Sequence, residues 1–305
     1  MKNVVITGAT SMLGLSLIDE CIRNKAKVVA IVRNGSAKRH LVSNPSGVTF
    51  VECDLSKLSD ITNETQSDFD AFYHFAWEAT ATNERQNVDA QYRNIGYTLD
   101  ALQLAHSLGC KKFIGAGSQA EYGRVEGVIS PETNVAPDTA YGVAKYSAGR
   151  LCAQRALQLD IGFIWARVFS IYGINDMPST MVMYCIDSLL KGEKPVLTRC
   201  EQQWDYLNCR DAARALYLLG LQGKSQNVYN IGSGVARPLL EYVSALRDAI
   251  NPYLPLGVGE REYSHNQIMH LCADISKLAA DIGFKPEISS YDGIRETIRW
   301  YRYRK

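Results

Sequence analysis

Close pairs of metal-binding side chains are missing from this sequence. Its eight cysteines include no C-x-x-C pair, and its five histidines show no spacing typical of metal ligands. Structural zinc sites are built from closely spaced thiolates and imidazoles, so we expect no metal centre. The scattered cysteines instead favour free, buried thiols in a reducing compartment, which predicts a cytoplasmic location.

Long apolar runs and a strong charge of one sign are missing as well. No stretch of about 20 apolar residues could span a bilayer. No charged segment followed by an apolar run stands at the start, so we expect no signal peptide. The net charge of +1 creates no broad field to attract nucleic acid or an anionic membrane surface. We therefore expect neither nucleic acid nor a membrane as a partner.

The sequence does contain an alternation of short apolar strands with amphipathic helices. Its 305 residues are 46% hydrophobic and 21% charged, an ordinary globular composition. Strands are predicted at 3–7, 27–32, 48–52, 69–75, 111–116 and 161–166, and helices at 12–24, 84–108 and 141–159. Alternation of this kind predicts an α/β fold with a Rossmann-like, doubly wound parallel sheet.

The alternation becomes irregular after about residue 170, where prolines break the segments. Two further α/β pieces, at 206–220 and 227–232, are predicted to return to the first domain. We therefore expect residues 1–173, together with 204–232, to form a dinucleotide-binding domain. Residues 174–203 and 233–305 would form a smaller C-terminal lobe that binds substrate.

A glycine-containing turn joins the first strand to the first helix. Residues 6–14 read I-T-G-A-T-S-M-L-G. Glycine lets the backbone approach a pyrophosphate closely, and the helix N-terminus supplies unpaired N–H groups. The turn predicts a nucleotide site whose contacts are Gly8, Thr10, Ser11, Met12, Leu13 and Gly14.

The residue after the second strand distinguishes the two nicotinamide cofactors. An acidic residue there would hold the ribose hydroxyls of NAD. Here the residue is Arg33, Lys38 and Arg39 follow it, and no carboxylate occurs between residues 21 and 51. A guanidinium pairs well with a phosphate dianion. The pattern favours NADP(H), with NAD(H) as the alternative; a solvated basic loop would have the same composition.

A tyrosine and a lysine stand one helical turn apart in A-Y-G-V-A-K. Tyr141 and Lys145 share a helix face at this spacing. An ammonium group nearby is expected to lower the pKa of the phenol, so that it can exchange a proton with a carbonyl or alcohol. Ser118 lies four residues before Tyr122 in G-S-Q-A-E-Y-G. A second Y-x-x-x-K, at 301–305, lies at the C-terminus and is set aside.

Together these segments resemble the extended short-chain dehydrogenase/reductase family, of the NAD-dependent epimerase/dehydratase type. The motifs occur in the family's order and continue through R-V-F-S-I-Y-G (167–173), 204–216, 228–234 and 273–278, so the resemblance covers essentially the whole chain. Ser11 departs from it by replacing the middle glycine of G-x-x-G-x-x-G. The resemblance implies that Ser118, Tyr141 and Lys145 are catalytic.

The resemblance also implies further cofactor contacts. Asp54 and Leu55 would hold the adenine end, and Phe75 and Ala76, after His74, would line the cofactor. Asn94 resembles the family's structural or relay asparagine, although a helix-surface amide would look the same in sequence. The resemblance also implies a homodimer formed through the helices that carry Asn94 and Tyr141.

Three reactions compete within this family. Sugar 4,6-dehydratases carry an acid two places before the Tyr-Gly tyrosine, where this chain has Ala120, preceded by Gln119. Epimerases of the UDP-galactose 4-epimerase kind benefit from retaining NAD⁺, whereas a net reductase draws on NADPH. Arg33 therefore favours reduction of a 4-keto-(deoxy)sugar nucleotide, with a 4-epimerase as the alternative. A non-catalytic NADP(H)-binding sensor or scaffold is the second alternative.

The substrate contacts follow from the same resemblance, with departures. Ser170 stands where the family often has Asn, and Trp204 where the epimerases have an Arg that holds the diphosphate. Trp204 could stack on a base or pack within the lobe. The missing charge could come from Arg199, Arg237 or Arg261. The predicted substrate contacts are Ser118, Gln119, Ser170, Arg199 and Trp204.

Overall fold

A computed structural model describes residues 1–61, 68–81 and 83–304. The strands are β1 (Asn3–Thr7), β2 (Lys27–Val32), β3 (Val48–Glu52), β4 (Ala71–His74), β5 (Lys112–Ser118), β6 (Val128–Ile129), β7 (Gly162–Val168), β8 (Ser170–Tyr172), β9 (Val196–Leu197), β10 (Gln203–Trp204), β11 (Tyr206–Asn208), β12 (Asn227–Ile231), β13 (Arg237–Pro238), β14 (Gly257–Val258) and β15 (His270–Ala273). The α-helices are α1 (Met12–Arg23), α2 (Val88–Ser107), α3 (Ala140–Gln158), α4 (Met181–Leu190), α5 (Cys209–Gln222), α6 (Leu239–Ile250), α7 (Ser276–Ile282) and α8 (Ser290–Arg304). Short 3-10 helices span Ala37–Leu41, Leu55–Asp60 and Gln119–Glu121.

Seven strands form one parallel sheet in the order β12-β7-β5-β4-β1-β2-β3. The chain builds outward from β1 in one direction through β2 and β3, and in the other through β4, β5, β7 and β12. The order therefore reverses between β1 and β4, and doubly wound sheets bind ligands at the carboxyl ends of the strands at such a point. The predicted Rossmann-like α/β fold is confirmed.

The central strands are nearly continuous apolar runs because helices cover both faces of the sheet. On one face, α1 and α5 pack over side chains such as Ile6 and Ala30. On the other, α2 and α3 pack over Val5, Phe72 and Phe113. The burial of both faces fixes the register and holds the strand ends in one row.

Most predicted boundaries agree with the structure to within two residues, with one clear exception. The helix predicted from residue 84 begins at Val88 instead. Asn87 ends the preceding loop because its side chain accepts a hydrogen bond from the backbone N–H of Ala90 at 3.1 Å. This capping interaction defines the first turn of α2.

The second half of the chain adds smaller sheets beside the large one. One has the order β13-β10-β15-β6, and the pairs β11-β8 and β14-β9 stand apart. Residues 206–220 and 227–232 were predicted to return to the first domain. The strand of the second piece, β12, is the edge strand of the large sheet, whereas the strand of the first piece, β11, pairs with β8. Helices α4, α6 and α8 enclose a separate apolar cluster that includes Met183, Val243 and Ile294. Assigning this part to substrate binding stays a prediction.

Candidate active site

The turn between β1 and α1 lies at the reversal of strand order. Gly8 has φ +66°, and a Cβ added to it would lie 2.6 Å from the backbone N of Ala76. A Cβ on Gly14 would collide with the carbonyl oxygen of Gly8. Gly8 is thus required by its contact with the segment after β4, and Gly14 by its contact with the turn itself.

Ser11 replaces the middle glycine without strain because its φ is −76°. Its hydroxyl accepts a hydrogen bond from the N–H of Gly14 at 3.1 Å and caps α1. Thr10 and Met12 are half-buried, whereas the side chain of Leu13 belongs to the apolar core. The side chain of Leu13 is therefore turned away from a cofactor. Its backbone N–H can still contact one, because the first turn of a helix leaves its N–H groups unpaired.

The segment after β4 is fixed from two sides. Thr7 Oγ1 hydrogen-bonds with His74 Nδ1 at 2.8 Å and accepts from the N–H of Ala76 at 3.4 Å, which holds Phe75 and Ala76 against Gly8. Asn94 is 1% exposed. Its amide accepts from the N–H of Glu78 at 2.8 Å and donates to the carbonyl oxygen of Glu78 at 3.1 Å. Asn94 is thus an anchor for this segment rather than a helix-surface amide.

We use the word cleft for the region at the carboxyl ends of the strands where the strand order reverses. At its far end Arg33 is exposed, while Asp54 and Leu55 are half-buried just after β3. The structure adds Glu52, which the sequence analysis missed. Its carboxylate pairs with Arg39 and accepts from the N–H of Gly35 at 3.4 Å. Glu52 is the register partner of Val32, so pairing of the predicted second and third strands would have revealed it. The basic loop is therefore partly neutralised.

Ser118, Tyr141 and Lys145 come together at the carboxyl end of β5. Ser118 is the last residue of that strand, and its side chain is near enough to the Tyr141 phenol to lower the pKa of that group. The Lys145 ammonium is 4% exposed and donates to the carbonyl oxygen of Ala116 at 2.7 Å. The three residues predicted to be catalytic thus share one side of the cleft.

The ionisation of this cluster differs from the expectation. Burial raises the pKa of Tyr141 above 10.0, and the charge of Arg85 and the hydrogen bond from Ser118 only partly offset it. Burial also lowers the pKa of Lys145 to about 7, with Glu121 opposing that shift. The expectation that Lys145 lowers the pKa of Tyr141 was wrong for this structure, because a buried ammonium is itself destabilised.

Two neighbours of the cluster were missed. The Lys145 ammonium lies 3.6 Å from the centre of the Trp77 ring, a cation–π contact. The indole N–H of Trp77 donates to Gln91 Oε1 at 2.8 Å, which fixes the ring. The guanidinium carbon of Arg85 lies 4.9 Å from the centre of the Tyr141 ring. Neither contact follows from a local pattern, because the partners come from different elements.

Glu121, the acidic residue directly after Ala120, has its carboxylate held inside the protein by Trp165 and Arg167. Its carboxylate is 0% exposed. It accepts from the N–H of Ser118 at 2.8 Å, from Trp165 Nε1 at 2.9 Å and from Arg167 Nε at 2.7 Å. Gln119, in contrast, has a buried Oε1 without a hydrogen-bond partner among the residues that the structure describes.

The predicted substrate contacts fall in separate places. Ser118 lies in the cluster with Tyr141 and Lys145, and Gln119 follows it in the chain. Trp204 donates from its indole nitrogen to Ser170 Oγ at 2.9 Å and is partly buried between two apolar clusters. Arg237 is the strand partner of Trp204 in the adjacent β13. Arg199 is exposed beside Gly259, next to the β9–β14 pair.

Within residues 1–61, 68–81 and 83–304, no group of three or more His, Cys, Asp and Glu side chains could hold a metal ion. The eight cysteines are free thiols, seven of them buried and Cys53 half-buried. No helix in the described part of the chain is both long and apolar enough to cross a bilayer.

Comparison with known proteins matches residues 4–232 to the NAD dependent epimerase/dehydratase family. The dTDP-glucose 4,6-dehydratase of Haemophilus influenzae is 24% identical to this chain, and the match covers 99% of this chain and 98% of that protein. The dTDP-glucose 4,6-dehydratase of Streptomyces niveus is 27% identical, and the match covers 83% of this chain and 76% of that protein. In overall structure the chain resembles a UDP-N-acetylglucosamine 4-epimerase from Methanobrevibacter ruminantium, with a TM-score of 0.89 and 23% identity over 100% of this chain and 99% of that one. It also resembles DesIV, a dTDP-glucose 4,6-dehydratase from Streptomyces venezuelae solved with NAD bound, with a TM-score of 0.86 and 19% identity over 99% and 97%. Because the family match spans most of its length, this chain belongs to the NAD dependent epimerase/dehydratase family, whose members are extended short-chain dehydrogenase/reductase enzymes.

Proposed function

We propose that this enzyme reduces a 4-keto-(deoxy)sugar nucleotide with NADPH. The observation that carries the proposal is the catalytic cluster itself, in which Ser118, Tyr141 and Lys145 meet beside a neutral amide, Gln119. A dehydratase needs an acid two places before Tyr122, where this chain has Ala120, whereas reduction needs only a proton donor and groups that orient the substrate.

The cleft fits a dinucleotide. The first turn of α1 presents unpaired N–H groups beside the Gly8 turn, which suits a pyrophosphate. Asp54 is half-buried at the end of β3, where it can accept from an adenine amino group. The bound cofactor supplies the hydride. Phe75 and Ala76 would line its path to the substrate.

Each catalytic residue has a distinct part in the proposed reaction. Tyr141 gives its proton to the keto oxygen, and Ser118 hydrogen-bonds the same oxygen. Lys145 is held near the phenol by Ala116 and Trp77 and carries its positive charge below its lowered pKa of about 7. The buried Oε1 of Gln119, which has no partner among the described residues, would take a hydrogen bond from a sugar hydroxyl. The amide orients the sugar but has no proton to give for elimination.

The preference for NADPH rests on Arg33, which is exposed at the end of β2 and makes no ion pair in the described part of the chain. Its guanidinium is thus available to a 2′-phosphate. The Glu52 carboxylate does not oppose the phosphate with its full charge, since it pairs with Arg39. NAD(H) is the alternative, because similar structures hold NAD.

A 4-epimerase is the second candidate, and the overall likeness to the UDP-N-acetylglucosamine 4-epimerase favours it. An epimerase would use the same three catalytic residues. The two reactions differ in that an epimerase consumes no cofactor over a full cycle.

A panel of substrates distinguishes these functions. The purified enzyme is given NADPH or NADH with 4-keto-6-deoxy nucleotide sugars, or UDP-galactose without added reductant, and both cofactor oxidation and sugar products are followed. With a 4-keto sugar, we expect the amount of NADPH consumed to equal the amount of sugar reduced. Isomerisation of UDP-galactose without net oxidation would instead establish the epimerase.

Matched tyrosine variants test the catalytic assignment. Tyr141→Phe should lower turnover by about 10²- to 10⁴-fold, the usual contribution of a general acid. Tyr146→Phe, on the same helix, should leave turnover near that of the parent. Full activity in Tyr141→Phe would contradict the mechanism. If the parent binds NADP(H) but turns over no substrate, the sensor or scaffold alternative is favoured.

Three coarser assignments accompany the proposal. The part of the chain built around α4, α6 and α8 would bind the nucleotide sugar, with Ser170, Trp204 and Arg199 as candidate contacts. A homodimer through α2 and α3 would cover exposed apolar side chains, since Val88 is 67%, Tyr92 75% and Leu151 48% exposed. The free thiols suit a cytoplasmic enzyme.

A further inference from the structure

Arg85 is attached to the start of α3 by both its backbone and its side chain. Its carbonyl oxygen accepts from the N–H of Tyr141 at 3.0 Å. Its guanidinium carbon lies 4.9 Å from the centre of the Tyr141 ring. The Nε of the same guanidinium donates to the carbonyl oxygen of Thr80 at 3.0 Å, which fixes the side chain in place. Arg85 and Tyr141 therefore hold each other in register.

Among the residues that the structure describes, no carboxylate neutralises the charge of Arg85. It takes part in no salt bridge in the portion of the chain that the structure describes. Lys145, on the helix of Tyr141 itself, has its ammonium further from the phenol ring, at 5.8 Å from the centre, and closer to Trp77. The guanidinium is thus the cation in closest contact with this ring.

The other groups that face Tyr141 either oppose this charge or are neutral. The Glu121 carboxylate, from the 3-10 helix after β5, acts against phenolate formation. Ser118 contributes a hydrogen bond, and the Trp77 ring meets the phenol edge-on at 6.1 Å between ring centres. Burial has the largest effect and raises the pKa of the phenol, and the nearby positive charge of Arg85 partly offsets that rise.

We propose that Arg85 is a positioning residue for Tyr141 that stabilises its phenolate through the stacked guanidinium, a proposal that rests on Tyr141 being the proton donor. When Tyr141 reacts, its O–H bond breaks and a new O–H bond forms on the substrate oxygen. The negative charge stays on Tyr141 until solvent returns a proton. Arg85 lies against the ring throughout and attracts that charge.

The planar guanidinium matters as well as its charge. Arginine stacks on an aromatic face while it donates in its own plane, whereas lysine is a point charge that does neither. Arg85→Lys should therefore retain part of the effect, and Arg85→Gln should lose it. Arg155→Gln removes an exposed arginine from the far end of α3 and serves as the matched control.

The test is a pH titration of tyrosinate absorbance, which requires no substrate. The chain has 17 tyrosines, so each spectrum is compared with that of the same protein carrying Tyr141→Phe, which isolates residue 141. In Arg85→Gln, this tyrosinate should form at higher pH than in the parent. Arg85→Lys should fall between them, and Arg155→Gln should match the parent. An unchanged titration in folded Arg85→Gln overturns the proposal.

Kinetics then separate this inference from the proposed function. With an active substrate, Arg85→Gln should lower kcat and move the alkaline limb of its pH profile upward. A rise in KM with an unmoved profile would make Arg85 a substrate contact and overturn the proposal. If no substrate is reduced, the proposed function fails while the tyrosinate titration still decides the part of Arg85. Should Arg85→Gln fail to fold, the titration of Arg85→Lys decides: a match to the parent overturns the proposal.

Discussion

Removing the charge of Glu121 should destabilise the protein strongly. The carboxylate is fully buried and pairs with Arg167, whose side chain is 5% exposed. Oε1 accepts from Ser118 and Trp165, and Oε2 accepts from Arg167. In Glu121→Gln the amide oxygen can replace only one of these atoms, so the NH₂ group must face a donor.

The magnitude follows from the burial of both partners. Breaking a buried ion pair from one side leaves an uncompensated charge and costs about 3–5 kcal/mol. An exposed pair provides the matched control, because Arg124 and Asp138 are 52% and 46% exposed with 3.3 Å between them. Asp138→Asn should cost about 1 kcal/mol or less.

The assay is the free energy of unfolding from denaturant titrations followed by circular dichroism and tryptophan fluorescence. Glu121→Gln should lose several times more stability than Asp138→Asn. A double variant with both Glu121→Leu and Arg167→Met should lose less than Glu121→Gln, because it leaves no buried charge unpaired. Equal losses in the buried and exposed pairs would refute the reasoning.

Three further predictions concern the turn and the lysine. Gly14→Ala should abolish cofactor binding, measured by nicotinamide fluorescence, because its Cβ would collide with the Gly8 carbonyl oxygen. Gly96→Ala, with no atom within 4 Å, should bind normally and gain about 0.5–1 kcal/mol of stability from helix propensity. Trp77→Leu should make Lys145 lose its proton at lower pH than Trp77→Phe does, visible in the pH profile of turnover, because only the aromatic ring stabilises the ammonium. Burial lowers the pKa of Lys145 from 10.5 to about 7, so between these two pH values the unfolded chain binds more protons than the folded protein. The free energy of unfolding should therefore rise with pH across that window. Thermal melts at a series of pH values should show that Lys145→Met flattens this rise.

Local patterns were enough to predict the elements and to single out Ser118, Tyr141 and Lys145, which the fold brings together. β-branched runs such as K-V-V-A-I-V are compatible with little except a buried strand, and β2 begins and ends where that run does. The spacing of Tyr141 and Lys145 is a property of any helix, and Ser118 follows a strand that the apolar pattern already indicates. The glycine turn is also indicated locally, by its position between a strand and a helix, although Gly8 makes its close approach to Ala76, which only the fold brings beside it.

Only the tertiary structure decided what surrounds these residues. Arg85 reaches Tyr141 from the loop before α2, Trp77 reaches Lys145 from the end of β4, and Glu52 neutralises part of the basic loop from β3. Each contact joins side chains from different elements, and the geometry arises only when the strands align in one sheet. The ionisation of the cluster depends on burial, which is a property of the packed molecule, so the sequence determined which groups are present and the fold determined their charge.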